Sequence, residues 1–480
     1  MKNKIRKICC IGAGYVGGPT MAVIADKCPD INVVVVDINK NRIDQWNNPD
    51  YSKLPIYEPG LDDVIKRCRN NNLCFSTEIN ENIATSDLIF ISVNTPTKTK
   101  GVGAGEASNL KWVESCAREV AKHSRGHTIV VEKSTLPVRT AEVIKNILEA
   151  SQAKKNKPDK NSFDVLSNPE FLAEGSAIRD LEYPDRVLIG GDNSDAMNAL
   201  GSIYENWVEK EKILYTNLWS SELAKLTANA FLAQRISSIN SISALCEATG
   251  ADVREVSRAI GTDNRIGSKF LDSGPGFGGS CFKKDILNLV YLSKYFKLPE
   301  VASFWESVVT LNNWHQNRVS RLIVEKLFGT LSGKKIAILG FSFKANTNDT
   351  RESAAIQICK NLIEEGAILH IHDPKVESKQ ISKDLNMNPI LEEGARNIDK
   401  TNSGMWKMVD NLEDVFEEID ATLILTEWVD YSKINWQSAS EKMRAPAWVF
   451  DSRSVVDQKK VLAAGLNFWR IGDGSGNDDL

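Results

Sequence analysis

The stretch that decides the fold is KICCIGAGYVG, residues 7–17. An apolar β-type run, ICCI, leads straight into glycines spaced as Gly12, Gly14 and Gly17, and the following GPTMAVIADK has helical spacing. Strand, glycine-rich turn and helix in that order open a βαβ unit. The next apolar run, NVVVVD, ends at Asp37, twenty residues after Gly17. Backbone N–H groups at a helix start hold phosphate, and a carboxylate at the end of the second strand can accept hydrogen bonds from a ribose. Ile11, Gly12, Ala13, Gly14, Tyr15, Val16 and Gly17 therefore read as a dinucleotide site. Gly12 permits the tight turn, Gly14 lets the pyrophosphate approach, and Gly17 lets the helix pack closely. Asp37 would repel a 2′-phosphate, which favours NAD over NADP, although Arg42 pulls slightly the other way. Without the strand, the helix and Asp37, such glycines would mark only a turn.

Working outward, residues 6–217 alternate short apolar runs (LCFST, LIFISVN, TIVVEKS, DVLSN, RVLIGG) with amphipathic stretches. That alternation predicts a mostly parallel, doubly wound sheet. The unbroken apolarity of NVVVVD and LIFIS fits strands covered on both faces. From about Ser220 the spacing turns helical, with no Gly or Pro until Gly250, which predicts one long helix. Helical text continues to about Leu331, broken by a glycine-rich segment at 273–280. At Lys334 the β/α alternation restarts with KKIAILGFSF, a helix over 352–365, ILHIHDP, a helix near 411–418, ATLILTEW and AWVFDSR. The expected fold is α/β. Two Rossmann-like, doubly wound parallel-sheet domains, 1–218 and 332–470, flank a helical middle domain, 219–331, and are joined through the long central helix. Residues 471–480 are expected to be disordered. No second G-x-G-x-x-G follows Gly340, so a second dinucleotide on the same plan is not expected. Asp373 reads as a turn cap or a ligand contact. The segment 100–106, KGVGAGE, reads as a loose connection, with a moving lid as the alternative.

The 480 residues exceed one hydrophobic core, and 42% hydrophobic with 25% charged residues is globular composition. A formal net charge of -4 offers no broad basic field for nucleic acid or an anionic membrane. No apolar run is long enough for a membrane span and no signal peptide is evident, so a cytoplasmic address is expected. The nine cysteines lack any CxxC or Cys/His metal spacing, so they read as free thiols and no metal is expected. None of the five histidines falls in the constellations below, which disfavours a His-based hydroxyacid dehydrogenase.

Eight cysteines read as ordinary core or surface residues, whereas Cys281 stands apart. In SGPGFGGSCFKKD, residues 273–285, it sits where a glycine-rich loop enters an amphipathic helix. A helix N-terminus and the nearby Lys283 and Lys284 lower a thiol's pKa, and glycines leave access. Asp285 lies one turn on. The alternative is a buried structural thiol. On the long helix, Glu222, Lys225 and Asn229 share a stripe, read either as a solvated face or, since Lys225 has apolar neighbours, as a partly buried ammonium. EKST, 132–135, and NPEFLAEG, 168–175, should sit at strand carboxyl ends, where α/β sheets build sites. Glu170 and Glu174 are candidate acid/base groups there, with caps or surface carboxylates as the alternative.

With these stretches, and with ISVNTPTKT, YPDRVLIGG, GFSFKANTNDTRES and TEW, the chain resembles the UDP-glucose/GDP-mannose dehydrogenase family over residues 5–455, most closely its animal-type members acting on UDP-glucose. The resemblance implies oxidation of UDP-glucose to UDP-glucuronate with two NAD reduced, through cysteine thiohemiacetal and thioester intermediates. It implies Cys281 as nucleophile, Lys225 and Asn229 as oxyanion stabilisers, Asp285 as a water-orienting group, and Thr135 and Glu170 in proton transfer. For NAD it adds to the 11–17 loop Asp37, Arg42, Val93, Asn94, Thr95, Pro96, Thr97, Ser134, Glu174 and Arg351. For the sugar nucleotide it assigns Glu170, Phe171, Leu172, Ala173 and Glu174, with Lys225 and Asn229. It also assigns the loop of Asp272, Ser273, Gly274, Pro275, Gly276, Phe277 and Gly278, then Phe343, Lys344 and Arg453. Arg265 would come across a dimer interface, and a homo-oligomer built from dimers is implied, hexamers occurring among similar animal enzymes. Lys283 stands where many relatives carry Pro. A sister enzyme acting on a UDP-N-acetylhexosamine or GDP-mannose is the nearest rival reading. A catalytically silent NAD-sensing scaffold is the rival of another class, and Cys281, Lys225, Asp285 and Glu170 argue against it.

Overall fold

The computed structural model describes residues 4–134, 137–153, 161–390 and 404–475. The chain forms two compact units, residues 1–228 with 287–297, and residues 229–286 with 298–480.

The first unit is built on eight strands: β1 (Lys7–Ile11), β2 (Asn32–Val36), β3 (Leu73–Ser76), β4 (Leu88–Ile91), β5 (His127–Glu132), β6 (Ser162–Ser167), β7 (Val187–Gly191) and β8 (Ile213–Thr216). Their order is β3-β2-β1-β4-β5-β6-β7-β8, and all pairs are parallel except β6 with β7, which is antiparallel. The unbroken apolarity of the strands now has a cause. Ile8, Cys10, Val33 and Val35 enter one buried cluster, while Cys9, Ile11, Val34 and Val36 enter another. Period-two alternation sends successive side chains to opposite faces, so helices on both faces require apolar residues throughout. Strand order reverses between β1 and β4, the switch point where such sheets bind ligands.

The second unit repeats the plan with β9 (Lys335–Leu339), β10 (Ile368–His372), β11 (Met405–Met408), β12 (Ala421–Ile424), β13 (Trp448–Asp451) and β14 (Asn467–Arg470). The sheet is parallel, in the order β11-β10-β9-β12-β13-β14. Buried clusters again line both faces. The turn after β9 copies the turn after β1. Gly340 N donates to His372 O at 2.8 Å as Gly12 N donates to Val36 O at 2.8 Å. Asp373 caps the turn, accepting from Phe341 N at 2.7 Å and Ser342 N at 3.0 Å, just as Asp37 accepts from Ala13 N at 3.0 Å. Asp373 is thus a turn cap.

Three sequence expectations need correction. The edge strands β11 and β14 carry charged, mixed text (MWKM, NFWR) with no strand signature of their own. The expected helix near 411–418 is a single 3-10 segment, Leu412–Phe416. Residues 471–475 are ordered: Val253 N donates to Gly472 O, Gly474 N donates to Ala251 O, and Gly472 N donates to Glu247 Oε1 at 2.7 Å. Residues 476–480 lie outside the described residues.

The long helix spans Leu218–Thr249, 32 residues, about 48 Å at 1.5 Å per residue. Its first eleven residues belong to the first unit and the rest to the second. The helix Phe282–Tyr295 is divided likewise, and the helix Pro299–Lys326 lies wholly in the second unit.

Candidate active site

In the first unit, the turn after β1 is fixed by close approaches. A Cβ on Gly12 would lie 2.2 Å from Ser92 O, and one on Gly17 would lie 2.0 Å from Gly12 O. A Cβ on Gly14 meets nothing within 4 Å, so this position faces open space at the start of the helix Gly17–Lys27. That open cradle at a helix N-terminus fits a dinucleotide pyrophosphate. Trp46, which the sequence reading did not single out, donates from Nε1 to Ala13 O at 3.0 Å and holds the turn from below. Asp37 pairs with Arg42 at 3.6 Å, so the two residues that seemed to argue in opposite directions form one ion pair. The 93–97 segment follows β4, and Ser134 ties it down by donating to Val93 O at 2.7 Å. Beyond it the 98–108 stretch is a pinned hairpin rather than a loose connection. Lys98 N donates to Ala107 O at 2.8 Å, and Glu106 pairs with Lys294 at 2.7 Å.

Glu170 lies in the same unit just beyond β6. Its Oε2 pairs with Lys133 at 2.8 Å and its Oε1 accepts from Phe171 N at 2.8 Å. Burial pushes the Glu170 carboxyl up, but Lys133, aided by the Phe171 N–H and Lys225, more than offsets this and holds it below the usual value. Lys225 is 7% exposed, its ammonium 5.2 Å from the Phe171 ring centroid, while Arg186 covers that ring at 3.9 Å. Leu172 packs against the core, Ala173 N donates to Asp180, and Glu174 is half-buried beside them. Glu222 does not join this group. Its carboxylate accepts from Arg139 N at 2.6 Å and Ala141 N at 2.8 Å, capping the helix Thr140–Ala153. Thr135 lies outside the described residues.

In the second unit, Cys281 is half-buried immediately before the helix Phe282–Tyr295. Its Sγ is 3.5 Å from Ser280 Oγ, and its carbonyl accepts from Asp285 N at 2.8 Å. Asp285 is fully buried between Asn229 Nδ2 at 2.6 Å and Lys284 Nζ at 2.9 Å. Burial alone would lower the Lys284 pKa, but the charges of Asp285 and Cys281 raise it, so Lys284 stays an ammonium on Asp285. Lys283 is turned to Glu352 at 2.8 Å. The other eight cysteines are mostly buried in cores; burial pushes Cys9, for example, up to about 12.

The 272–278 loop of the second unit is held by groups far away in sequence. Gly274 N donates to Asn240 Oδ1 at 2.9 Å and Phe277 N to Asn312 Oδ1 at 2.8 Å. His315 Nε2 hydrogen-bonds Gly274 O at 3.0 Å, and burial, with Arg318 nearby, depresses its pKa to about 4, so it is neutral. The expectation that no histidine touches these constellations is therefore wrong, because 41 residues separate His315 from Gly274. It holds the loop and has no acid/base role. Arg453, just past β13, donates to Leu425 O at 2.9 Å and Phe343 O at 3.1 Å and pairs with Glu427 at 3.3 Å. A Cβ on Gly274 would lie 3.1 Å from its guanidinium, so loop and arginine adjoin. Phe343 and Lys344 follow β9, at the reversal of strand order between β9 and β12. Arg351 pairs with Asp349, and its carbonyl accepts from Gly279 N at 2.9 Å. Arg265 is turned outward, its side chain 90% exposed and paired with Asp263 at 2.6 Å.

The first unit thus offers a dinucleotide cradle with a buried carboxylate and lysines; the second offers a thiol beside an ammonium, and basic groups at a second switch point. The fold and the cradle are those of a dinucleotide-dependent dehydrogenase. Residues 6–208 match the NAD binding domain of the UDP-glucose/GDP-mannose dehydrogenase family, 219–314 its central domain and 337–458 its UDP binding domain. The chain belongs to that family. It is 55% identical over 461 residues to the UDP-glucose 6-dehydrogenase of Gallus gallus, covering 95% of this chain and 90% of that one. It is 54% identical over 473 residues to that of Drosophila melanogaster, covering 97% and 96%. Among solved structures, a UDP-glucose dehydrogenase from Pyrobaculum islandicum superposes with a TM-score of 0.81 at 27% identity, covering 98% of this chain and 99% of that one. A UDP-D-ManNAc dehydrogenase from Pyrococcus horikoshii gives a TM-score of 0.80 at 26% identity, covering 98% and 100%.

Proposed function

We propose that this chain oxidises the primary alcohol of UDP-glucose to the carboxylate of UDP-glucuronate, reducing two NAD per sugar through intermediates bound to Cys281. The observation that carries this reading is the half-buried Cys281 at a helix start, beside the buried Lys284–Asp285–Asn229 cluster, in a chain with these relatives. Bound NAD supplies the hydride acceptor for each of the two oxidations.

In the first oxidation the alcohol loses its hydroxyl proton as the hydride departs. Glu170, ionised and held by Lys133, serves that proton transfer, with Thr135 assisting. An aldehyde carbon has no hydride it can readily give up, so the Cys281 thiolate adds to it and makes a tetrahedral thiohemiacetal. Lys225 and Asn229 stabilise the oxyanion of that state. Loss of the second hydride leaves a thioester on Cys281. Water cleaves it, the sulfur leaves as thiolate, and Asp285, oriented by Asn229 and Lys284, positions that water. The Arg453, Lys344 and Phe343 cluster with the 272–278 loop supports binding of the UDP-sugar, since planar guanidinium and ammonium groups suit a diphosphate.

A homo-oligomer built from dimers belongs to the same reading, with Arg265 reaching the partner's site. The second unit leaves Phe231 55%, Leu245 58% and Phe304 52% exposed, an apolar surface in keeping with a protein interface. Sedimentation should therefore find a species of at least twice 53.3 kDa, and a monomer would refute it. Among the described residues no helix is long and apolar enough to cross a membrane; a cytoplasmic address is part of the proposal.

Substrate choice is tested by rates with NAD and a panel of UDP-glucose, UDP-N-acetylhexosamines and GDP-mannose. UDP-glucose should exceed each of the others in kcat/KM by at least about tenfold, or about 1.4 kcal/mol in the transition state. Preference for a UDP-N-acetylhexosamine would overturn the assignment, because a fold of this kind also serves the Pyrococcus horikoshii relative.

A further inference from the structure

Directly after β5, in the first unit, the side chain of Lys133 is only 3% exposed. An ammonium so placed must have every N–H satisfied or lose its proton. Lys133 has three donors and three acceptors: Glu170 Oε2 at 2.8 Å, Asn168 Oδ1 at 3.0 Å and the Tyr204 hydroxyl at 3.3 Å. The acceptors are themselves fixed. Tyr204 donates to Asn168 Oδ1 at 2.6 Å, and Asn168 Nδ2 donates to Leu188 O at 2.8 Å. The cage therefore joins groups that follow β5 and β6, the strand β7 and the helix Ser194–Tyr204. Burial would strip the proton from Lys133, but the charge of Glu170 and the Tyr204 oxygen keep it on.

From this cage we infer that Lys133 is a positioning residue for the oxidation: it fixes both the aim and the charge of Glu170, so that Glu170 meets the alcohol as a carboxylate ready to take its proton. The inference rests on the role of Glu170 proposed above and deepens it. The groups around Glu170 come from several elements. They are Lys133, Lys225 on the long helix, the phenol of Tyr204, and the Thr20 hydroxyl, which donates to Oε2 at 3.4 Å. With its own Oε1 taken by Phe171 N, the carboxylate keeps lone pairs for one more donor, a substrate hydroxyl or a water. A side chain held ionised this way accepts hydrogen bonds and is a poor proton donor at neutral pH.

The test is the pH profile of kcat/KM, measured with UDP-glucose and NAD for the unmodified enzyme, Lys133→Met, Lys133→Arg and Glu170→Gln. Activity that needs the carboxylate falls as pH drops through its pKa, so the acidic limb reports Glu170. An opposite charge within reach lowers such a pKa by about 1–3 units. Lys133→Met should therefore move the acidic limb upward by about 1–3 units and cut kcat while leaving the KM for UDP-glucose nearly unchanged, and Lys133→Arg should restore the limb. If Glu170→Gln abolishes the limb but Lys133→Met leaves it in place, the inference fails while the role of Glu170 stands. If Glu170→Gln keeps full activity, the role of Glu170 itself fails. Should Lys133→Met not fold, the infrared difference between unmodified protein and Glu170→Gln gives the answer. The carboxylate band should persist at pH 4.5, where an ordinary glutamate is half protonated; a carboxylic acid band there would overturn the inference.

Discussion

Glu132 ends β5 with 2% exposure, its carboxyl hydrogen-bonded to that of Glu222. Burial, reinforced by the neighbouring charge, holds Glu132 well above its ordinary 4.5. Burial raises Glu222 as well, but the backbone N–H groups of the helix it caps and the Glu132 carboxyl pull it back, so of the two it is Glu222 that keeps the negative charge. Glu132 is therefore the protonated partner. Unfolded, it would lose its proton near pH 4.5; folded, it keeps it to higher pH. Its contribution to stability is thus complete below that pH and declines as pH rises toward the folded-state value. Glu132→Gln retains a donor toward Glu222 and has no proton to lose. Melting at pH 8 should rise by about 2–4 °C for each kcal/mol recovered, with little change at pH 4.5. A variant that melts lower at pH 8 would contradict a shared proton.

At the scale of an element, the turn after β1 separates folding from binding. Gly17→Ala would press a methyl against Gly12 O, now 2.0 Å from the Cβ position, and should cost about 1–3 kcal/mol or more. Gly14→Ala adds its methyl to open space. It should melt within about 0.5 kcal/mol of the unmodified protein, yet raise the KM for NAD about tenfold, about 1.4 kcal/mol. Thermal melts and cofactor titrations check both, and an unchanged KM for Gly14→Ala would remove that glycine from the cofactor site. This turn was legible in sequence because everything it needs lies within thirty-one residues, from Lys7 to Asp37. The long helix was legible for the same reason, since its signal is a local period free of Gly and Pro. What escaped were groups that meet across long separations. Lys133 reaches Tyr204 71 residues away, His315 and Asn312 grip a loop some 35 to 41 residues back, and Glu247 binds Gly472 across 225. Periodicity carries no information about such pairs. Even so, Lys133 stood inside the quoted EKST, where a lysine in a strand-end apolar setting was the available signal. Edge strands β11 and β14 escaped for another reason: at four residues each, with mixed text, they are too short to show a period.

On the scale of the whole molecule, two sheets of one plan carry complementary chemistries. The first unit holds the dinucleotide cradle; the second unit holds the thiol, before the helix Phe282–Tyr295, and the basic cluster after β9 and β13. Duplication of the β-turn geometry, with Asp37 and Asp373 in matching places, gives each unit a switch point at which to hold a ligand. In the reaction proposed for this chain the sulfur is the departure from a simple alcohol dehydrogenase, and a sulfur nucleophile matters only if oxidation passes beyond the aldehyde. The direct measurement is the NADH yield when limiting UDP-glucose is run to completion with excess NAD. About two NADH per sugar should appear with free UDP-glucuronate, whereas Cys281→Ser should stall before free acid accumulates. One NADH per sugar with aldehyde released by the unmodified enzyme would contradict it.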